Sequence, residues 1–163
     1  MIDQDLMAQA DTVLVACRAA GLKVATAESC TGGLIAATLT AIAGSSDVVD
    51  RGFITYSNEA KTDMLGVPPE LIASDGAVSE AVARRMAEGA LARSQAGLAV
   101  AVTGVAGPGG GSADKPVGLV WFGLARRDAP TSALRHLFAG DRGAVRRQAV
   151  AEALRLLGGP AAV

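Results

Sequence analysis

Aromatic side chains are scarce in this chain of 163 residues: Phe53, Phe122, Phe138, Trp121 and Tyr56 make up 3% of it. A surface that stacks unpaired bases has few rings to work with. Neither sign of charge is in excess, with 15 Lys and Arg against 16 Asp and Glu for a net −1. That excludes a polybasic nucleic-acid wrapper and an acidic disordered tail. Two cysteines cannot build a disulfide framework, and no CxxC or CxxH spacing suggests a metal. The start, MIDQDLMAQAD, is acidic and lacks the apolar core of a secretory leader. Two uncharged stretches, residues 29–46 and 94–113, hold too much Ser, Thr and Gly to form a span of about 20 apolar residues. The expectation is a soluble cytoplasmic protein without metal or other cofactor and without membrane or nucleic-acid partners.

Half of the residues are apolar, enough for the core of one domain covering residues 1–163. Leu6, Ala10, Val13, Leu14 and Cys17 fall at helical spacing ahead of Gly21. Residues 22–27 read as a strand, 34–43 as a buried helix closed by Gly44, and 51–57 as a second strand. NEAKTDML follows as a short helix capped by Ser57 or Asn58, then a turn with about one helical turn at GVPPELI. Ser79 caps a helix over residues 80–93, and LAVAVT at 98–103 has the unbroken apolar pattern of a strand covered on both faces. After a glycine-rich loop come two strands, VGLVWFGLA and TSALRHLFA, and a last helix over 141–157 that stops at Gly158-Gly159. Helical crossovers make the first three strands parallel, and the last three form a meander. The fold class is α/β, a three-layer α/β/α arrangement around a mixed, mainly parallel sheet.

Ligands of such sheets gather at the carboxyl ends of the parallel strands. Strand one delivers Glu28, Ser29, Cys30 and Thr31 to that rim. Strand two delivers Tyr56, Ser57, Asn58 and, one turn later, Lys61, one of only three lysines. Strand three delivers Thr103, Gly104 and the glycine loop. A returning fifth strand brings Gly140, Asp141 and Arg142 to the same edge. Gly32 and Gly33 let a helix start close to its strand, and the N–H groups of residues 30–33 are suited to an oxyanion. Ser29 there is either a nucleophile or, like Thr31, a simple helix cap. The lone His136 lies inside a strand, GxSxG is absent, and SxxK fails because position 32 is Gly. The remaining base is Lys61, which must lose its proton near neutrality to serve, and which otherwise is a solvated lysine. Tyr56 could relay a proton or sit in water, and Thr103 could hold a ligand or end its strand. The glycine loop matches neither GxxxxGK[ST] nor GxGxxG. Arg142 could grip a phosphate or carboxylate, although a cation at a helix N-terminus is otherwise disfavoured. Arg126-Arg127 and Arg146-Arg147 read as solvated faces.

Four ordered blocks, AESCTGGLIAATLT, YSNEAK, GAVSE and TGVAGPGGG, resemble the CinA C-terminal-domain family, and the match runs from residue 1 to about 159. Members include nicotinamide-nucleotide amidases. The resemblance implies Ser29 as nucleophile, Lys61 as its base and Tyr56 as a further site residue. Cys30, Thr31, Gly32 and Gly33 would hold the oxyanion, while Thr103, Gly104 and Arg142 would hold a nucleotide. It implies hydrolysis of the carboxamide of nicotinamide mononucleotide, in pyridine nucleotide recycling, by a homo-oligomer (a dimer or larger). A nucleotide-binding module without catalysis and an amidase for another small amide are the rival readings. Larger members carry an N-terminal domain with metal-dependent pyrophosphatase activity, which is not expected of this chain.

Overall fold

The computed structural model describes residues 1–161. The chain runs through α1 (Gln4–Ala19), β1 (Val24–Glu28), α2 (Leu34–Thr40), β2 (Val49–Ile54), α3 (Asn58–Leu65), α4 (Pro69–Asp75) and α5 (Glu80–Ala92). It continues through β3 (Leu98–Gly104), β4 (Leu119–Arg126) and β5 (Ala129–Leu137) to α6 (Arg142–Ala161). The sheet order is β2-β1-β3-β4-β5. β1 pairs in parallel with both β2 and β3, whereas β3–β4 and β4–β5 are antiparallel. Four of the five strands therefore point the same way, with β4 alone reversed. This is the expected mixed, mainly parallel α/β/α architecture.

Alternation along the strands sorts the two layers. Val24, Leu98, Val100 and Val102 pack with Leu14, Ile35, Val145 and Leu154 in the layer of α1, α2 and α6. Ala25, Ala27, Ala99 and Ala101 pack with Leu65, Val82 and Met86 in the layer of α3, α4 and α5. Branched residues on one face and alanines on the other let α5 lie close to the sheet. At Gly123 any Cβ would strike the Ala83 carbonyl. Because β1 and β3 are covered on both faces, both are buried along their length: β3 carries a continuous apolar run, whereas β1 buries Thr26 and Glu28 among its apolar residues.

The strands are shifted by one to three residues from their expected limits, with β2 ending at Ile54 rather than residue 57, and three helices differ as well. Helix α2 ends at Thr40, short of residue 43. The Thr38 and Thr40 hydroxyls donate back to the Leu34 and Ala36 carbonyls at 2.6 and 2.7 Å, competing with the helix's own bonds. The single turn expected near residue 70 is the full helix α4, started by Pro69, whose ring pre-sets helical φ. Helix α6 passes through Gly158 and Gly159 to Ala161, because Leu154 and Leu157 are buried against α1 and hold its last turns in place. No helix among the described residues is long and apolar enough to cross a membrane.

Candidate active site

Ser29 immediately follows β1, and its N–H donates to Val102 on β3 at 3.0 Å, extending the sheet by one residue. Lys61 stands on α3, which starts directly after β2 because the Ser57 hydroxyl accepts the Ala60 N–H at 3.0 Å. Helical side chains lean toward the helix N-terminus, so Lys61 reaches back to the sheet rim. Its Nζ lies 3.0 Å from Ser29 Oγ and 2.8 Å from the Thr55 carbonyl. Lys61 is 1% exposed and Ser29 9%. Among the described residues no carboxylate pairs with Lys61. Burial pushes its amine below the ordinary lysine value; the nearby Cys30 opposes this as a thiolate. Burial in turn holds the Cys30 thiol up at about 11, so that opposition is absent near neutral pH. An uncharged amine at this position can accept the serine proton.

The turn after Ser29 is built differently from a simple capped helix. Neither Ser29 nor Thr31 caps α2; Gly33 is its N-cap, without a side-chain bond of its own. The buried Glu28 carboxylate does that work, accepting from the N–H groups of Gly33, Ile35 and Ala36 at 3.0, 3.1 and 2.9 Å. An anion at this end of the helix is favourable. Gly33 has φ +99, and a Cβ there would come within 3.0 Å of Ile54, so both backbone and space require glycine. The Gly32 N–H donates to the Ser29 carbonyl at 3.0 Å. The N–H groups of Gly32 and Gly33 are thus occupied, and of residues 30–33 only Cys30 lines the cleft. Thr31, Gly32 and Gly33 shape the turn from beneath it.

The cleft has a volume of about 520 Å³ and gathers Ser29, Cys30, Tyr56, Asn58, Lys61, Thr103, Gly104 and Arg142, with the glycine loop as one wall. Four strand ends meet there because β5 points the same way as β1, β2 and β3. Thr103 donates to the Ala77 carbonyl at 2.8 Å; toward a ligand its hydroxyl can only accept. At Gly104 a Cβ would meet the Leu119 carbonyl at 2.8 Å, so the loop's close approach to β4 needs glycine. Tyr56 is 60% exposed, yet its hydroxyl accepts from Arg142 Nη2 at 2.9 Å. Arg142 also donates to the Gly107 carbonyl at 3.0 Å. Its charge near the α6 N-terminus is offset by Asp141, whose carboxylate accepts the Ala144 N–H at 2.8 Å.

Glu28 and Arg146 have parts in the site that local sequence pattern did not announce, and Asn58, offered with Ser57 as the cap of α3, lines the cleft while Ser57 makes the cap. The one visible signal for Glu28 was its position, a carboxylate at the rim six residues before a helix. Arg146 was assigned with Arg147 to a solvated face. Instead Arg146 is half-buried and donates to the Cys30 and Thr31 carbonyls at 3.0 and 3.1 Å. Arg147 is exposed and paired with Asp3 at 2.6 Å. No signal near residue 146 could announce a contact with a turn so distant in the chain. No cluster of His, Cys, Asp or Glu among the described residues is arranged to hold a metal ion.

Fold and rim together define a class: an α/β protein with a serine hydroxyl and a buried amine paired in a polar cleft. The chain belongs to the CinA C-terminal domain family, whose sequence profile matches residues 6–159. It is 53% identical over 157 residues to the nicotinamide-nucleotide amidohydrolase PncC of Escherichia coli K12, covering 96% of this chain and 95% of that one. It is 50% identical to a CinA-like protein of Anaeromyxobacter dehalogenans over 90% of this chain but only 36% of the longer relative. The crystal structure of the competence/damage inducible protein CihA from Agrobacterium tumefaciens superposes with a TM-score of 0.93 at 51% identity, over 96% of both chains.

Proposed function

We propose that the chain is a nicotinamide-nucleotide amidohydrolase that converts nicotinamide mononucleotide to nicotinate mononucleotide and ammonia in pyridine nucleotide recycling, with Ser29 as nucleophile and Lys61 as base. The observation that carries this reading is the 3.0 Å contact between Lys61 Nζ and Ser29 Oγ in a buried setting without a counter-charge. Its substrate assignment is supported by the PncC relative at 53% identity over nearly the whole chain.

In this mechanism Lys61 takes the hydroxyl proton of Ser29 as Oγ attacks the carboxamide carbon. The carbonyl becomes an oxyanion, which receives the Cys30 N–H on the serine side of the cleft. The C–N bond then breaks, and the leaving nitrogen takes a proton from the Lys61 ammonium and departs as ammonia. Water, deprotonated by the neutral Lys61, attacks the acyl-serine; Ser29 regains its proton as the acid is released. Arg142 faces the nucleotide phosphate with the N–H groups of Ala106, Gly107, Gly109 and Gly110, which donate to no group among the described residues. Tyr56 holds Arg142 in place and offers its own O–H to the substrate, and Thr103 accepts from a ribose hydroxyl. Binding the remote phosphate orients the amide for attack.

Ammonia release from nicotinamide mononucleotide, nicotinamide riboside and free nicotinamide tests the reading. Turnover should be greatest with the phosphorylated compound and should vanish in Ser29→Ala, which still binds nucleotide by calorimetry. An unchanged rate in Ser29→Ala would sink the serine mechanism, and turnover of other amides alone would sink the substrate. A binding module that keeps Lys61 charged is disfavoured, because a buried ammonium with no anion is costly. Self-association, implied by the family resemblance, is tested by analytical ultracentrifugation.

A further inference from the structure

The turn that carries Ser29 is held from two sides by opposite charges. The Glu28 carboxylate takes backbone donors of Gly33, Ile35 and Ala36. The Arg146 guanidinium takes backbone acceptors, donating through Nε to the Cys30 carbonyl at 3.0 Å and through Nη2 to the Thr31 carbonyl at 3.1 Å. The Ser29 carbonyl accepts the Gly32 N–H at 3.0 Å. All three carbonyls from Ser29 to Thr31 are therefore engaged, and the Cys30 N–H donates to no carbonyl among the described residues, only to its own sulfur. No carboxylate among them pairs with Arg146, so its bonds go to this turn.

A guanidinium is a rigid planar fork, and each peptide group is a rigid plane. Two N–H groups of one fork on two successive carbonyls fix the relative rotation of those planes. The residue between those planes is Thr31, and because the Ser29 carbonyl is tied to the Gly32 N–H across the same segment, the turn is fixed from the nucleophile onward. We propose that Arg146 is a positioning residue for Ser29: by clamping the Cys30 and Thr31 carbonyls it keeps the serine hydroxyl on the Lys61 amine and the Cys30 N–H available to an oxyanion. This rests on the reading of Ser29 as the nucleophile. Arg146 touches no substrate atom in this scheme; it acts through the backbone. Misplacing reacting atoms by about 1 Å can cost about 100-fold in rate. The loss falls on kcat when the ground-state binding groups, Arg142 and the glycine loop, are left alone.

The test compares wild type, Arg146→Ala, Arg146→Lys and Arg147→Ala in two assays below their melting temperatures. One is steady-state ammonia release from nicotinamide mononucleotide. The other is the rate of Ser29 labelling by a fluorophosphonate, followed by intact mass, which needs no natural substrate. Arg146→Ala should lower kcat and the labelling rate about 100-fold each, with KM within about threefold. Arg146→Lys keeps the charge but not the fork and should stay at least about tenfold impaired. Millimolar guanidinium should restore part of the Arg146→Ala rate, and Arg147→Ala should match wild type. Wild-type kcat and labelling in folded Arg146→Ala or Arg146→Lys would overturn the proposal; so would a loss that appears only in KM. If Arg146→Ala does not fold, Arg146→Lys with native labelling overturns it equally. Wild type that labels at Ser29 yet leaves the nucleotide intact would refute the substrate and leave the Arg146 test standing. Wild type that neither labels nor turns over would overturn both.

Discussion

The Nζ of Lys61 donates to the Thr55 carbonyl at 2.8 Å, and this bond decides which way the amine faces its serine. Thr55 lies between β2 and α3, six residues before the lysine. A neutral amine that gives one N–H to that carbonyl has its lone pair free for the Ser29 hydroxyl 3.0 Å away. The backbone that delivers the lysine also aims it.

Replacing Lys61 by Met should remove the base while filling nearly the same volume. Ammonia release should fall by about a thousandfold or more, in line with the usual worth of a general base. Stability should change with pH in a defined direction. Burial lowers the amine's proton affinity in the folded state, so the unfolded chain binds more protons, and wild-type stability rises with pH up to the ordinary lysine value. Below the lowered value the full penalty applies. Lys61→Met should lose this slope, so its stability relative to wild type should be greatest at low pH. Urea unfolding at several pH values checks it.

The same lowered proton affinity governs rate. The kcat/KM for nicotinamide mononucleotide should rise with pH as one group deprotonates and level off below the range of an ordinary lysine. A pH–rate profile that keeps rising to about pH 10.4, the value of an unperturbed amine, would show that the fold does not tune this residue.

Glu28→Gln tests the cap of α2. The amide keeps one acceptor and turns a donor toward N–H groups that need acceptance. A loss of about 2 kcal/mol is expected from bonds made to a charged group and donors left unpaired. Thermal or urea unfolding measures it, and the activity of the folded fraction should also drop because Ser29 stands at the foot of the same turn.

Arg142→Ala should lower kcat/KM for the mononucleotide by about 10- to 100-fold, the range of a charge-assisted bond. The unphosphorylated riboside should lose much less. Tyr56→Phe removes the hydroxyl that steadies Arg142 and should shift the same ratio in the same direction by a smaller factor. Parallel kinetics on the two substrates read both effects.

Much of the architecture was legible in local patterns. The apolar run of LAVAVT, the capping serines at 57 and 79, and the glycines at 32 and 33 each act over a few residues. Boundaries failed where a local competitor intervened, as with the back-bonding Thr38 and Thr40. They failed again where distant packing overrode a local signal, as where buried Leu154 and Leu157 carry α6 through two glycines. The candidate rim was readable because strand direction follows from connection length: a strand after two hairpins must return to the edge where the parallel strands end.

Residue types, helix and strand periodicity, strand direction and the presence of Ser29, Lys61, Tyr56 and Arg142 at strand ends were determined by the order of amino acids alone. Which charges are buried was not. Arg146 and Arg147 are adjacent and chemically identical, yet one holds the Ser29 turn and the other pairs with Asp3 ahead of α1, because successive residues on a helix point about 100° apart. Likewise Lys61 is an ordinary polar-helix lysine until β1 and β2 pair. Burial and long-range contact are properties of sheet order and layer packing, and only the folded chain sets them.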